Sequence, residues 1–379
     1  MSGQVWRDAL APVNATILLS NGMRFAEQSG SPREATIAGA RGAKKGQLLM
    51  KVCSRLFRAA AVAAALCVPF ATQSQAQEWP NRAVTLVVPF AAGSASDVVG
   101  RIFAARLSEV LGQQVVIENV GGAGGTIGVG RVSKADPDGY QFVMGGIDTF
   151  AMSKALYKKL PYDPVGDFLP VALVAEQPII LMVRKDLPVK NFKEFVAHAK
   201  ANAGKLQYGS AGVGSASHLG CAQLNAAAGI NAVHVPYRGS APAMQDAMAG
   251  RIDYICALGA AAIPQMENKT LTPLAALTKT RSPLAPDVPT AIELGLSNFE
   301  APFWSGFFVP KGTPQPVIDK LSKATVTMIE TPVLTDRLKK VGSTFVPASQ
   351  ANPAYLKKFL DSEIDKWGAA IKASGITLD

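Results

Sequence analysis

Two stretches of this 379-residue chain put small and hydroxyl-bearing residues directly ahead of helix-forming sequence. The first is Pro89-Phe90-Ala91-Ala92-Gly93-Ser94-Ala95-Ser96-Asp97, and the second runs from Gly209 to Ser217. Glycine and alanine let backbone N–H groups come close to a ligand, and Ser94, Ser96 and Ser215 add hydroxyl donors. Each helix that follows presents the positive end of its dipole, which suits a carboxylate or phosphate oxygen. The plainer alternative is a pair of tight turns whose serines only cap helices. Two such loops in equivalent places of two similar halves make a cleft, and that doubling favours binding.

Neighbouring side chains carry narrower expectations. Asp97 falls in the first turn of its helix, where a carboxylate complements the dipole and holds the loop together. His218 either faces the cleft or caps and packs, and Phe90 either walls the ligand or joins the core. Tyr237 and Arg238 sit beside a third Gly-Ser helix start, Gly239-Ser240. Arg238 either pairs bidentately with a carboxylate or stays solvated.

Catalytic signatures are missing. The stretch Gly122-Ala123-Gly124-Gly125 is not G-x-G-x-x-G, and neither a Gly-Lys-Ser/Thr loop nor a G-x-S-x-G elbow occurs. His198, His218 and His234 form no H-E-x-x-H pattern and no C-x-x-C exists, so neither a metal nor a cofactor is expected. A general base beside the cleft is offered only by His218, so an enzyme acting on organic acids is the weaker reading.

The elements that must position these loops alternate strand and helix. Val84–Val88 is a β-branched run stopped by Pro89, and Val98, Val99, Ile102, Phe103, Leu107, Val110 and Leu111 mark one helix face. Val115–Ile117 and Tyr140–Met144 follow as strands, predicting a parallel sheet with helical crossovers. The middle repeats the pattern. Strands are expected at Leu206–Tyr208, Ala232–Val235 and Ile252–Ala257, with a helix capped by Asn191 and Glu194. A strand at Phe303–Val309 and helices from about Pro314, Val333 and Pro353 close the chain.

Composition allows a sizeable core, with 48% hydrophobic and 17% charged residues. The net charge of +10 is unevenly placed: nine of the Lys and Arg and three of the acids fall in residues 1–76, leaving +4 for the rest. A nucleic-acid partner is therefore not expected. Met50 to Arg58 is basic, Ala59–Ala71 is thirteen apolar residues, and Ser74-Gln75-Ala76 offers a small-x-small cleavage site. Residues 50–76 read as a signal peptide to the periplasm, and 1–49 as a mis-called start or disordered extension. Thirteen residues at about 1.5 Å each fall short of a ~30 Å hydrocarbon core. Of four cysteines, Cys221 and Cys256 remain after such cleavage, either as a disulfide or as two buried small residues.

Taken in order, several stretches resemble the substrate-binding receptors of tripartite tricarboxylate transporters, the Bug receptors. They are Trp79-Pro80, V-P-F-A-A-G-x-x-x-D (Val88 to Asp97), E-N-x-x-G-A-G-G (Glu118 to Gly125), A-D-P-D-G-Y (Ala135 to Tyr140) and S-A-G-V-G-S-A-S-H-L (Ser210 to Leu219). H-V-P-Y-R-G-S-A-P-A (His234 to Ala243), D-V-P-T-x-x-E-L-G (Asp287 to Gly295) and P-x-G-T-P (Pro310 to Pro314) continue the set.

The resemblance implies a periplasmic-binding-protein-like fold, two α/β domains joined by crossing hinge strands with a ligand cleft between them. With the pattern above, it places domain 1 at 77–182 plus 309–379 and domain 2 at 183–308. It implies capture of a small organic carboxylate by a monomer, for cognate permease subunits or else for a sensor protein. Carried over by position, the ligand contacts are Phe90, Ala91, Ala92, Ser94, Ser210, Ala211, Gly212, Ser215 and His218. Asp97, Thr149 and Tyr237 complete the expected set. Two departures matter: Gly93-Ser94 replaces the usual Gly-Gly, and Gly146-Ile147-Asp148-Thr149-Phe150 differs from a small polar pattern. An acid at Asp148 would favour an amino group on the ligand or repel a second carboxylate.

Overall fold

The computed structural model describes residues 78–374 apart from Asn298. The leader expected at 50–76 and the extension at 1–49 lie outside the described residues.

Strand β1 (Val84–Val88) is buried at every position but Thr85, and Pro89 ends it. Helix α1 (Ala95–Leu111) starts at the Ser94 cap, and its buried face includes Val99, Ile102, Phe103 and Leu107. Strand β2 (Val115–Asn119), helix α2 (Thr126–Val132) and strand β3 (Gln141–Gly146) follow. The chain then makes a single wide π-type turn, Ile147–Met152, continued by the short helix α3 (Ser153–Leu156). Strand β4 (Phe168–Gln177) passes through Pro178 straight into β5 (Ile179–Arg184).

The next elements are α4 (Phe192–Ala201), β6 (Gln207–Ser210), α5 (Ala216–Ala228) and β7 (Val233–Pro236). They lead to α6 (Ser240–Met248), β8 (Tyr254–Leu258), α7 (Gly259–Glu267) and β9 (Leu271–Ala276). Strand β10 (Phe303–Pro310), helices α8 (Gln315–Ile329) and α9 (Pro332–Lys340), strand β11 (Thr344–Phe345) and helix α10 (Pro353–Ser374) complete the chain.

These elements build two α/β sheets. The first has the order β11-β4-β10-β3-β1-β2, and the second β7-β6-β8-β5-β9. The parallel sheet expected from the alternation is corrected to a mixed one in both halves. β1 pairs in parallel with β2 and β3, but β10 runs antiparallel to both β3 and β4. Likewise β6 is parallel to β7 and β8, while β5 is antiparallel to β8 and β9. β5 and β10, which run against the strands on both sides of them, each enter their sheet from the other half, so no helical crossover precedes either.

The chain leaves the first sheet after Gln177 and re-enters it at Phe303, with Ala301 N–H donating to Leu277 O at the return. The boundaries expected at 182/183 and 308/309 fall inside β5 and β10. Helices α8 and α10 return to pack on β4. One apolar core runs through both halves, anchored by Trp304, Phe307 and Phe150, whose ring stacks on Phe308 at 3.7 Å. A smaller cluster lies on the other face of the second sheet, around Ile180, Met182 and Ile255. Cys221 on α5 and Cys256 on β8 form a disulfide with Cα atoms 5.4 Å apart, which settles the alternatives left by sequence.

Candidate binding site

The two serine loops fold alike. Gly93 (φ +76°) precedes the Ser94 cap and Gly214 (φ +82°) precedes the Ser215 cap, positions where a side chain would be strained. Ser94 N–H donates to Ala91 O and Ser215 N–H to Gly212 O, each at 3.1 Å. Ser94 Oγ then accepts from Asp97 N–H and Ser215 Oγ from His218 N–H, each at 3.3 Å. The repeat puts one serine-capped helix start after a strand of each sheet.

The two starts meet. Ser94 and Ser96 ahead of and on α1 line the same small chamber as Ser215 and Ser217 on the α5 side, with Ser240 of α6 and Phe90 completing the wall. Ser240 Oγ accepts from Ala95 N–H at 3.0 Å, tying α6 to the first helix start. The chamber has a volume of about 20 Å³, room for little more than one water molecule.

Asp148 also lines it. The π-type turn after β3 carries this residue, 3% exposed, against the second helix start. Its Oδ2 accepts from Ala216 N–H at 3.1 Å and its Oδ1 from Thr149 N–H at 2.9 Å. Burial pushes its carboxyl up to about 6, although those amides favour the charged form. Among the described residues lining the chamber there is no lysine or arginine. The turn itself is fixed by Thr149 Oγ1, which accepts from Gly146 N–H, and by the Ser153 and Tyr162 hydroxyls, which donate to Thr149 O.

The other expected residues divide between lining and support. Ala211 lines the chamber. Asp97 braces the first loop: its Oδ2 accepts from Gly93 N–H at 2.8 Å and its Oδ1 from Asn119 Nδ2 at 2.9 Å. Burial opposes ionisation there, but Arg101, Gly93 and Asn119 outweigh it and hold the carboxyl below its usual range. Thr149, Ser210 and His218 are buried yet are not among the lining residues. Ser210 Oγ meets His234 Nε2 at 2.7 Å, and His218 Nδ1 accepts from Gly214 N–H at 3.2 Å. The two imidazoles stack at 4.0 Å, and burial lowers each to about 4. They support the second loop from behind. Ala92 is exposed, and Ala91 donates its N–H to Arg238 O at 3.4 Å.

Gly212 and Tyr237 lie at a wider groove of about 700 Å³ outside the chamber, with Tyr157, Val213 and Arg238. The Tyr237 hydroxyl donates to Asp246 at 2.6 Å, and Arg238 is exposed. Between groove and chamber the halves touch through backbone. A Cβ on Gly124 would run into Val213 O, and one on Gly121 would come within 2.9 Å of Arg238 O. The Tyr157 hydroxyl lies 2.8 Å from Val213 O and 3.1 Å from Ala123 O, spanning the seam. At the far side a Cβ on Gly259, the first residue of α7, would meet Gly342 O.

Sequence reasoning missed the seam and the place of Ser240. The glycine run Gly121–Gly125 exceeds what one turn requires, and that excess was the available signal. Among the described residues no cluster of His, Cys, Asp or Glu could hold a metal ion.

Comparison with known proteins gives a consistent picture. The family model described as tripartite tricarboxylate transporter family receptor matches residues 99–376. A protein from the ttuE–ttuC' intergenic region of Agrobacterium vitis is 40% identical over 313 residues, 82% of this chain and 89% of that one. The solved structure of the periplasmic binding protein BugD is 37% identical with a TM-score of 0.77, covering 79% of this chain and 99% of that one. MatC from Rhodopseudomonas palustris, solved with bound malate, is 36% identical with a TM-score of 0.75, covering 77% and 100%.

Proposed function

The chain belongs to the tripartite tricarboxylate transporter receptor family, and from that premise we propose that it captures a small organic carboxylate between its two lobes in the periplasm. The lobes are the first sheet with the C-terminal helices, and the second sheet with its own. One observation carries the reading: Ser94 and Ser215, capping helices that start from different sheets, line one chamber. Serine hydroxyls from both sides converge there beside two helix starts, whose Ala95 and Ala216 amides are held by Ser240 and Asp148 while the chamber is shut.

A chamber of about 20 Å³ is far too small for a dicarboxylate, so ligand must enter with the lobes apart. The strand passage from β4 to β5 and the irregular return from Leu277 into β10 are where such a motion would bend. Binding then favours closure onto the ligand, to a spacing wider than that of the empty chamber, because ligand oxygens reach both helix starts only when the lobes approach. The shut receptor is the form offered to membrane permease subunits. MatC, a relative of the same fold, holds malate, which supports a small organic acid as the cargo. Binding alone, with no chemical step, accounts for the arrangement: the buried imidazoles are held near 4 and are occupied by the loop rather than aimed into the chamber.

Thermal-shift screening against a panel of mono-, di- and tricarboxylates tests this. A true ligand at 100 times its Kd adds about 2.7 kcal/mol and raises the melting temperature accordingly. A panel in which no carboxylate moves the melting curve would overturn the reading.

A further inference from the structure

Asp148 is a buried carboxylate in a chamber whose other polar groups all suit an anion. Its two oxygens accept from Ala216 N–H and from Thr149, and among the described residues no cationic side chain lines the space. The serines Ser94, Ser96, Ser215, Ser217 and Ser240 offer hydroxyls, which are neutral. A ligand that brought only carboxylates would set a second negative charge beside Asp148 in a buried site. Like charges at such range strongly disfavour joint ionisation. A ligand with an ammonium group removes the conflict, since its carboxylate meets the helix starts and its ammonium supplies the missing counter-charge.

Building on the carboxylate-receptor reading above, we infer that Asp148 is a specificity-determining residue that selects amino acids over the corresponding des-amino acids by pairing with the ligand ammonium group. The position is built to hold one orientation. Asp148 sits on the π-type turn, and Thr149, Ser153 and Tyr162 lock the turn through Gly146 N–H and Thr149 O. Single π-type turns are frequent at functional sites. Among the described residues lining the cavity Asp148 has no cation to compete with, so the ammonium meets an acceptor already held in place.

The experiment is isothermal titration of the full chain at pH 7.5 with paired probes: each proteinogenic L-amino acid and its des-amino acid, among them aspartate with succinate and glutamate with glutarate. At least one amino acid is expected to bind about tenfold or more tighter than its des-amino partner. Asp148→Asn, which keeps the shape and removes the charge, is expected to abolish that preference while melting as a folded protein. Des-amino acids that bind as well as or better than their partners overturn the inference and leave the carboxylate receptor standing. They do so equally if they bind with uptake of one proton, read from titrations in buffers of different ionisation enthalpy, because Asp148 is then neutralised by protonation. If neither member of any pair binds, both readings fall. A wild-type preference that survives Asp148→Asn also overturns it, by assigning the selectivity to other groups.

Discussion

Asp148 Oδ2 accepts a 3.1 Å hydrogen bond from Ala216 N–H, so a carboxylate from the first lobe rests on the helix start of the second. The acid on which ligand choice turns is therefore also a contact between lobes. Its protonation, and that of the stacked imidazoles behind the neighbouring loop, must register in stability.

The pH dependence has opposing parts. Asp148 rises from 3.8 to about 6 on folding, so its contribution is fully present below 3.8 and is lost as pH rises through 6. His218 and His234 fall from 6.5 to about 4, so theirs is fully present above 6.5 and is lost as pH drops toward 4. Tyr157 and Tyr162 face Asp148 but are pushed upward by burial and do not titrate in this window. Near pH 5 the unfolded chain holds about two extra protons on the imidazoles and about one fewer on Asp148. Asp148→Asn is thus expected to steepen the loss of stability between pH 6.5 and 4. Denaturant midpoints measured across that range check it, and an unchanged slope would refute the assignment.

Gly124→Ala should hold the lobes apart. The added methyl meets Val213 O, which is backbone and cannot swing away. Affinity for whichever carboxylate the screen identifies should fall by about tenfold or more, equivalent to about 1.4 kcal/mol. Small-angle scattering should find the saturated variant more extended than saturated wild type. Gly368→Ala, on an open helix face, is the control and should bind normally.

Tyr157→Phe removes a hydroxyl shared between Val213 O and Ala123 O. Loss of one such bond costs about 1 kcal/mol of the closed form, or roughly fivefold in affinity. The expected change is in the dissociation rate, measurable by stopped-flow tryptophan fluorescence; an unaltered rate would remove Tyr157 from closure.

Reduction of Cys221–Cys256, or Cys221→Ser with Cys256→Ser, should lower stability by about 2–4 kcal/mol. The bridge ties α5, whose start forms half the site, to β8 in the middle of its sheet. A lower urea midpoint with reductant is the readout. Equal midpoints would mean the bridge contributes nothing.

Much of the first and second sheets was legible because their strands are short, β-branched and bounded by turns. Val84–Val88 matches its expected span, and Asn191 caps α4 by accepting from Glu194 N–H as its spacing predicts. The crossing segment was not legible. From Phe168 to Arg184 the sequence is almost uninterruptedly apolar, because β4 and β5 are buried on both faces and carry no alternation. The serine caps announced themselves by composition. Ser210 and His218 did not announce which way they point: both sit in the right loop, yet their hydrogen bonds go to the loop itself and to His234. Side-chain direction there depends on contacts from other elements, which local spacing does not encode.

The backbone seam has a consequence for anyone wishing to change what this protein holds. Because Gly124 abuts Val213 and Gly259 abuts Gly342, main chain sets the closest approach of the jaws. Trimming Phe90 would widen the floor of the vault but leave its ceiling where it is. A bulkier cargo would have to be matched by moving that stop, through longer loops at the seam, before any redesign of the wall took effect.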